Sequence, residues 1–340
     1  MRRIVFVTQQ VDPGHPALAA TVGKIAALAA RVDEVIVLAD GAVAGALPAN
    51  CRFEPFRAPT KAGRGLRFER ALARELRRRP RPQAVIAHMC PIYAVLAAPL
   101  ARPLRVPVVL WFTHWRASGL LRLAERLSTA VVTVDRRSLP VESAKMTPIG
   151  HGIDMTEFTC PEPHGGTAAL RAVALGRYTA IKGLDVVLRA VELAAVPVEL
   201  DLYGPALTPA EHAERARLAG LAGPRTTLHD AVPRSEVPAL LARADVMVSN
   251  VVPGAADKVV YEAAASCLPV LGSNPVFDDL LDEPLRFDRD DPASLARRLE
   301  ELAALGPDGR ARLGRELRDR VVSRHSVENW ADRILEVAAR

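Results

Sequence analysis

Residues 245–273 read DVMVSNVVPGAADKVVYEAAASCLPVLGS, and their organisation decides the fold. DVMVSN is a short apolar run of strand length, VVPGAAD a loop of small residues, KVVYEAAASC a helical pattern, and PVLGS a second strand-like run. Strand, loop, helix and strand in that order form a βαβ unit, which calls for a parallel sheet. Asp257 falls near the helix N-cap and Lys258 in the first turn. Glu262 lies one turn further on and shares the face of Lys258. A surface ion pair, worth about 0.2–0.5 kcal/mol, would account for the two charges. It accounts poorly for their neighbours, because Val259, Val260, Ala263, Ala264 and Ala265 are all apolar, and a carboxylate buried among them needs a polar partner. Such a carboxylate can accept two hydrogen bonds from vicinal hydroxyls, the arrangement found in a ribose, while Lys258 and the loop amides face the space above the sheet edge.

The same alternation extends outward in both directions. Upstream, RRIVFVTQ precedes a helical pattern over 16–30, followed by DEVIVLAD, PQAVIAHM with AVLAAPLA, VPVVLWFTH with GLLRLAERL, and AVVTVDR. The pattern breaks at TCPEPHGGTAA, 159–169, which has two prolines, two glycines and no periodicity. A second series then runs through RAVALGRY, KGLDVVLRAVELA, VPVELDLYG, PAEHAERARLAG and TTLHDAV into the opening stretch. The expectation is an α/β chain of two doubly wound domains: 1–158, a linker at 159–169, and 170–323. An amphipathic C-terminal helix, 324–340, would pack at their junction. In facing sheets of this kind ligands sit beyond the carboxyl ends of the strands, in the cleft.

Composition narrows the function classes. The chain has 340 residues, fitting two domains. Cys51, Cys90, Cys160 and Cys267 are scattered without close spacing, so neither a zinc site nor a disulfide framework is expected, and a reducing compartment is the default. The first residues lack a signal-peptide core, and no window approaches eighteen uninterrupted apolar residues. Residues 1–150 hold 23 Lys and Arg against 10 Asp and Glu, whereas residues 151–340 hold 22 against 29, so the excess of positive charge belongs to the first half. Its densest run, RGLRFERALARELRRRPRP from Arg64, reads either as a solvated helix face or as a surface for anionic lipid or an acidic acceptor. Nucleic acid is not expected as a partner, because no interleaved aromatics or reader motif accompany the run.

A second cluster of candidate residues lies in GRYTAIKGLDVV, 176–187. Gly176 permits a tight turn after a strand, and Arg177 and Lys182 follow just before a helix. A helix N-terminus already favours an anion through its free N–H groups and dipole. The two cations would add the charge that a diphosphate needs; otherwise they are solvent-exposed turn residues. In the first half, His114 ends the strand of WFTHW, His88 ends PQAVIAH, and Gly14 and His15 lie in the loop after the first strand. That loop, TQQVDPGHPAL, lacks the G-x-G-x-x-G of a dinucleotide-binding dehydrogenase. His151 between Gly150 and Gly152 reads as a turn near the domain boundary, and Asp245 and Glu236 as strand-border and helix-start residues. There is no Asp-x-Asp pair to hold a divalent cation, and His and Cys occur singly, so no metal site is expected.

Taken in order, GHGIDMTEF, ALGRYTAIKG, LDLYG, VPRSEVPALLARADVMVSN and GAADKVVYEAAASCLPVL resemble the retaining GT-B glycosyltransferases of the group 1, family 4 class over nearly the whole chain. The resemblance implies two facing Rossmann-like domains and transfer of a sugar from a UDP- or GDP-sugar to an acceptor hydroxyl. The nucleotide sugar would act as co-substrate, with no other cofactor and no metal. It implies that Arg177 and Lys182 bind the donor diphosphate, that Glu262 binds the ribose, and that His114 lies near the reacting sugar. Gly14, Gly176, Gly254, Asp257 and Lys258 would complete the donor-side set. The family's first motif glutamate would fall at Gly254, a departure that bears on the donor sugar and on catalytic competence. The acceptor could be a polysaccharide, a lipid-linked intermediate or a small molecule. A cytoplasmic protein, peripheral at the inner face of a membrane through Arg64–Arg81, would suit the first two. A catalytically weakened nucleotide-sugar-binding partner protein and a sugar-nucleotide epimerase stay open.

Overall fold

A computed structural model describes residues 2–15, 18–162 and 169–340. The chain divides by packing into two units, Met1–Asp154 with Arg324–Arg340, and Met155–Ser323. The linker expected at 159–169 falls largely outside the described residues.

The first unit runs β1 (Arg3–Val7), α1 (Ala20–Ala29), β2 (Glu34–Ala39), β3 (Cys51–Pro55), α2 (Lys61–Arg77), β4 (Ala84–His88), α3 (Pro91–Ala101), β5 (Val108–Trp111), α4 (Gly119–Leu127), β6 (Ala130–Thr133) and β7 (Met146–Pro148). Its sheet is parallel, in the order β3-β2-β1-β4-β5-β6-β7. Every residue of β1, β4 and β5 is buried, which is why these strands read as continuous apolar runs and do not alternate. Thr60 and Ser118 cap α2 and α4 through hydroxyls that accept from Gly63 N and Leu121 N at 3.0 and 3.1 Å. The GHGI turn is fixed by the returning C-terminus, since Gly152 N and Ile153 N donate to the His325 carbonyl at 3.0 and 2.7 Å.

The second unit runs β8 (Leu170–Leu175), α5 (Leu184–Leu193), β9 (Val198–Tyr203), α6 (Pro209–Leu221), β10 (Thr226–His229), α7 (Val237–Leu241), β11 (Val246–Ser249), α8 (Lys258–Ala265), β12 (Val270–Gly272), α9 (Pro292–Ala304) and α10 (Gly306–His325), whose last two residues belong to the first unit. Its parallel sheet has the order β10-β9-β8-β11-β12. Strand order therefore reverses between β8 and β11, which makes the carboxyl ends of those two strands the topological switch point. The last helix, α11 (Val327–Ala338), packs on α1 within the first unit, where Trp330 is fully buried against Trp111.

One expectation is corrected. Cys160 and Cys267, 107 residues apart in sequence, are joined by a disulfide with Cα atoms 5.0 Å apart, while Cys51 and Cys90 are free. Sequence spacing could not show this, because the fold alone brings the segment after Asp154 to the end of α8. The basic run on α2 is also less available than its composition implies. Arg64 pairs with Asp40, Arg74 with Glu54, and Arg78 with the buried Glu75. Among the described residues no helix is long and apolar enough to cross a membrane.

Candidate active site

The switch point of the second unit gathers most of the residues singled out from the sequence. β8 ends at Leu175, and Gly176 turns the chain with φ +134°, where a Cβ would run into Lys182 Nζ. Lys182 folds back over this turn, donating to the Leu175 carbonyl at 3.2 Å and to Asp257, the N-cap of α8. Val252 N donates to the Ile181 carbonyl at 2.9 Å, binding the loop after β11 to the loop after β8. The two loops thus form one surface across the reversal of strand order.

Two asparagines that the sequence reading passed over hold that surface. Asn250 Nδ2 donates to the Gly183 carbonyl at 3.1 Å, and its Oδ1 accepts from Ser273 Oγ at 2.8 Å. Asn274 Nδ2 donates to the carbonyls of Val252 and Ala255 at 2.8 and 2.9 Å, and its Oδ1 accepts from Gly254 N at 3.3 Å. Their only sequence signal is position, each lying just after an apolar strand. Gly254 itself has φ +85°, so a glutamate at the place of the family's first motif carboxylate would be strained there.

Each expected cation has a carboxylate partner. Arg177 pairs with Glu211 at 3.1 Å, Lys182 with Asp257, and Lys258 with Glu262 at 3.0 Å. An ammonium group has three N–H donors and a guanidinium five, so these contacts leave donors for an arriving anion. Asp257 makes no side-chain cap on α8. Val260 N donates to the Asp257 carbonyl at 3.2 Å, and no side chain caps the other first-turn N–H groups of that helix, as at anion-binding helix starts.

Glu262 is fully buried, and the Lys258 pair is only half of its environment. Arg234, just before α7, donates through Nη1 to Glu262 Oε1 at 2.5 Å and through Nη2 to Glu157 Oε2 at 2.8 Å. Burial alone would lower the Arg234 pKa, but Glu262 and Glu157 outweigh it and hold the guanidinium charged. Glu262 Oε1 thus carries two cations, while Oε2 is buried with no hydrogen-bond partner. Ser249 Oγ, at the end of β11, is likewise buried without one. Unsatisfied buried oxygens are rare and costly, and they mark places that a ligand can complete. The sequence reading missed Arg234, which lies 28 positions from Glu262.

The first-unit candidates have surroundings of their own. His114 N donates to the Ser138 carbonyl at 3.0 Å, and its Nδ1 accepts from Arg116 N at 2.9 Å, which leaves the ring proton on Nε2. Gly14 N donates to Asp12 Oδ1 at 2.8 Å, and an added Cβ would meet only ordinary contact there. At the switch point of this sheet, between β1 and β4, His88 lies buried and stacked on Trp111 with 4.8 Å between ring centroids. Burial, and then the charge of Lys24, push its pKa well below the ordinary histidine value. Asp245 is tied down by Arg171 at 2.9 and 3.0 Å, in keeping with a border role. Among the described residues no group of three or more His, Cys, Asp and Glu side chains is arranged to hold a metal ion.

Comparison with known proteins separates fold from family. No curated protein matches the chain. A glycosyltransferase from Rickettsia africae is 12% identical with a TM-score of 0.76, covering 99% of this chain and 97% of its own. HepE of Anabaena, solved with UDP, is 15% identical with a TM-score of 0.77, covering 99% of both chains. Sucrose-phosphate synthase of Thermosynechococcus elongatus is 17% identical with a TM-score of 0.73, covering 99% and 98%. At such identities the likeness establishes the architecture. The family described as glycosyl transferases group 1 matches residues 169–304, a span containing Gly176, Arg177, Lys182, Arg234, Asp257, Lys258 and Glu262. These residues therefore lie in a span similar to the glycosyl transferases group 1 family, within a chain of GT-B fold.

Proposed function

We propose that the chain is a retaining glycosyltransferase that transfers a hexose-type sugar from a UDP- or GDP-sugar to an acceptor hydroxyl, without a metal ion. The observation that carries this reading is the buried, half-satisfied carboxylate of Glu262 beside an uncapped helix start at the switch point. Glu262 Oε2 accepts from the ribose. Lys182, Arg177 and the first-turn N–H groups of α8 stabilise the charge that develops on the leaving diphosphate. The departing phosphate oxygen takes the acceptor proton, attack coming from the face it leaves. That UDP occupies a neighbour of the same fold favours a nucleoside diphosphate as the common ligand.

On this reading the first unit receives the acceptor, His114 serves the reacting sugar and Gly14 belongs to the donor-side set. A polysaccharide or glycolipid acceptor suits the positive first half, although a small-molecule acceptor uses the same donor chemistry. Arg70, Arg77 and Arg79 are exposed and, among the described residues, outside the α2 ion pairs, so they are the part of the basic run that would meet an anionic membrane. The setting is cytoplasmic, where thiols are kept reduced and Cys160 and Cys267 would stand as a close dithiol. Gly254 in the place of the motif glutamate gives the alternative its footing: a nucleotide-sugar binder that has lost turnover.

The test is a thermal-shift series with UDP, GDP, ADP and TDP in EDTA, on wild type and Glu262→Ala, followed by product detection with the corresponding sugar donors. A ligand that binds only the folded state raises the unfolding temperature by mass action. The expected result is a shift with UDP or GDP that Glu262→Ala reduces by about tenfold in affinity. No shift with any nucleotide rejects the donor reading. Binding without product from any donor selects the binder.

A further inference from the structure

Resting on the reading of Glu262 as the ribose carboxylate, we propose that Arg234 is a positioning residue for that carboxylate, held in place by the strap Glu157–Cys160. The strap is fixed to the far end of the same helix that carries Glu262. Cys160 stands against Cys267, two residues beyond α8, with Cα atoms 5.0 Å apart. Arg318 Nη1 donates to the Phe158 carbonyl at 2.6 Å and also to the carbonyl of Ala265, the last residue of α8. The buried Phe158 ring lies under the Arg234 guanidinium, 5.1 Å from it. Glu157 then takes one arm of the guanidinium fork at 2.8 Å, which aims the other arm at Glu262 Oε1.

The chemical consequence follows from how the donors are shared. Lys258 and Arg234 both engage Oε1, so the carboxylate cannot rotate without breaking two charge-assisted bonds. Oε2 is thereby presented as an oriented acceptor with no protein donor on it. Lys258 alone would not fix this geometry, because its four-carbon stem is flexible whereas the Arg234 fork is planar and clamped at both ends. Arg234 thus acts through Glu262 on the ribose hydroxyls and has no direct part in binding phosphate.

This role separates from a merely structural one by the ligand group it senses. Full-length protein is titrated calorimetrically with UDP and GDP and with their 2′,3′-dideoxy forms, for wild type, Arg234→Met, Arg234→Lys and Glu262→Ala, with folding checked by thermal unfolding. Wild type should bind the ribose form about tenfold more tightly than the dideoxy form. Arg234→Met should lose most of that difference while keeping its dideoxy affinity within about twofold, and Arg234→Lys should restore part of it. Equal weakening of both forms in Arg234→Met, or no weakening, overturns the role of Arg234. If Arg234→Met keeps the ribose preference while Glu262→Ala loses it, the donor reading stands and the positioning role falls. A ribose preference that survives in Glu262→Ala, or no binding of either nucleotide to wild type, removes the donor reading and the role of Arg234 with it.

Discussion

Glu75 in the first unit and Glu262 in the second are both fully buried carboxylates held by arginine, yet they are finished to different degrees. Glu75 Oε2 takes Arg52 at 2.5 Å and Arg3 at 3.1 Å, and Oε1, which makes no hydrogen bond, still faces two guanidinium groups, Arg78 and Arg74, at 3.4 and 3.7 Å. All of its charge is spent inside the fold. Glu262 spends one oxygen on Lys258 and Arg234 and keeps the other unmatched. Glu75 lies at the amino ends of β1 and β3, bonded to Arg3 and Arg52, whereas Glu262 lies one turn into a helix that starts at the carboxyl-end switch point. The difference teaches that burial, an arginine partner and an oxygen without a hydrogen bond do not by themselves single out a carboxylate; Glu262 differs in having no cation at all on its second oxygen and in its place at the carboxyl ends of β8 and β11.

The largest expected effect breaks the structural member of the pair. Glu75→Ala strands the buried Arg3 among fewer counter-charges and should cost about 3–5 kcal/mol in urea unfolding, with nucleotide affinity of the folded protein unchanged. Glu262→Ala should cost far less stability, since Arg234 keeps Glu157 and Lys258 is partly exposed. If the two substitutions destabilise equally, Glu262 is another structural carboxylate.

A smaller effect sharpens the account of the loop beside Glu262. Gly254→Glu restores the family's motif residue but places a side chain at φ +85°, at a cost of about 1–3 kcal/mol. Denaturation curves of the variant matching wild type would show that the loop can relax, and would reopen the question of why the carboxylate is absent.

The smallest effect compares the two units in acid. In the first unit burial depresses His88 and, to about 3, His325, with the positive charges of Lys24 and Arg324 adding to it. A depressed histidine means that the unfolded chain takes up the proton first, so stability is present above about pH 6.5 and is lost as pH falls toward the folded value. In the second unit burial would raise Asp245, but the bonds from Arg171 outweigh it and hold the carboxyl low. That contribution is lost only below about pH 3.9. Hydrogen exchange followed from pH 7 to 5 should therefore show protection falling in the first unit before the second. Simultaneous loss in both would reject the assignment.

Much of the candidate site was legible because it is local. Gly176 to Lys182 and Asp257 to Glu262 each lie within a single turn or helix start, where spacing alone fixes which side chains share a face. The disulfide, the asparagine ties and the Arg234 clamp were not legible, because each joins residues tens of positions apart whose meeting depends on sheet order. The ion pairs of α2 were hidden for the same reason: Asp40 and Glu54 reach that helix only once β2 and β3 are paired.

By itself, then, the sequence determined the parallel α/β architecture, through continuous apolar strands alternating with amphipathic helices, and the residues that gather at the switch point of the second unit. Only the tertiary structure decided that each site cation already has a carboxylate partner and that Glu262 keeps one oxygen open. Local pattern sets which way a side chain points, whereas its charge balance depends on neighbours delivered by distant strands.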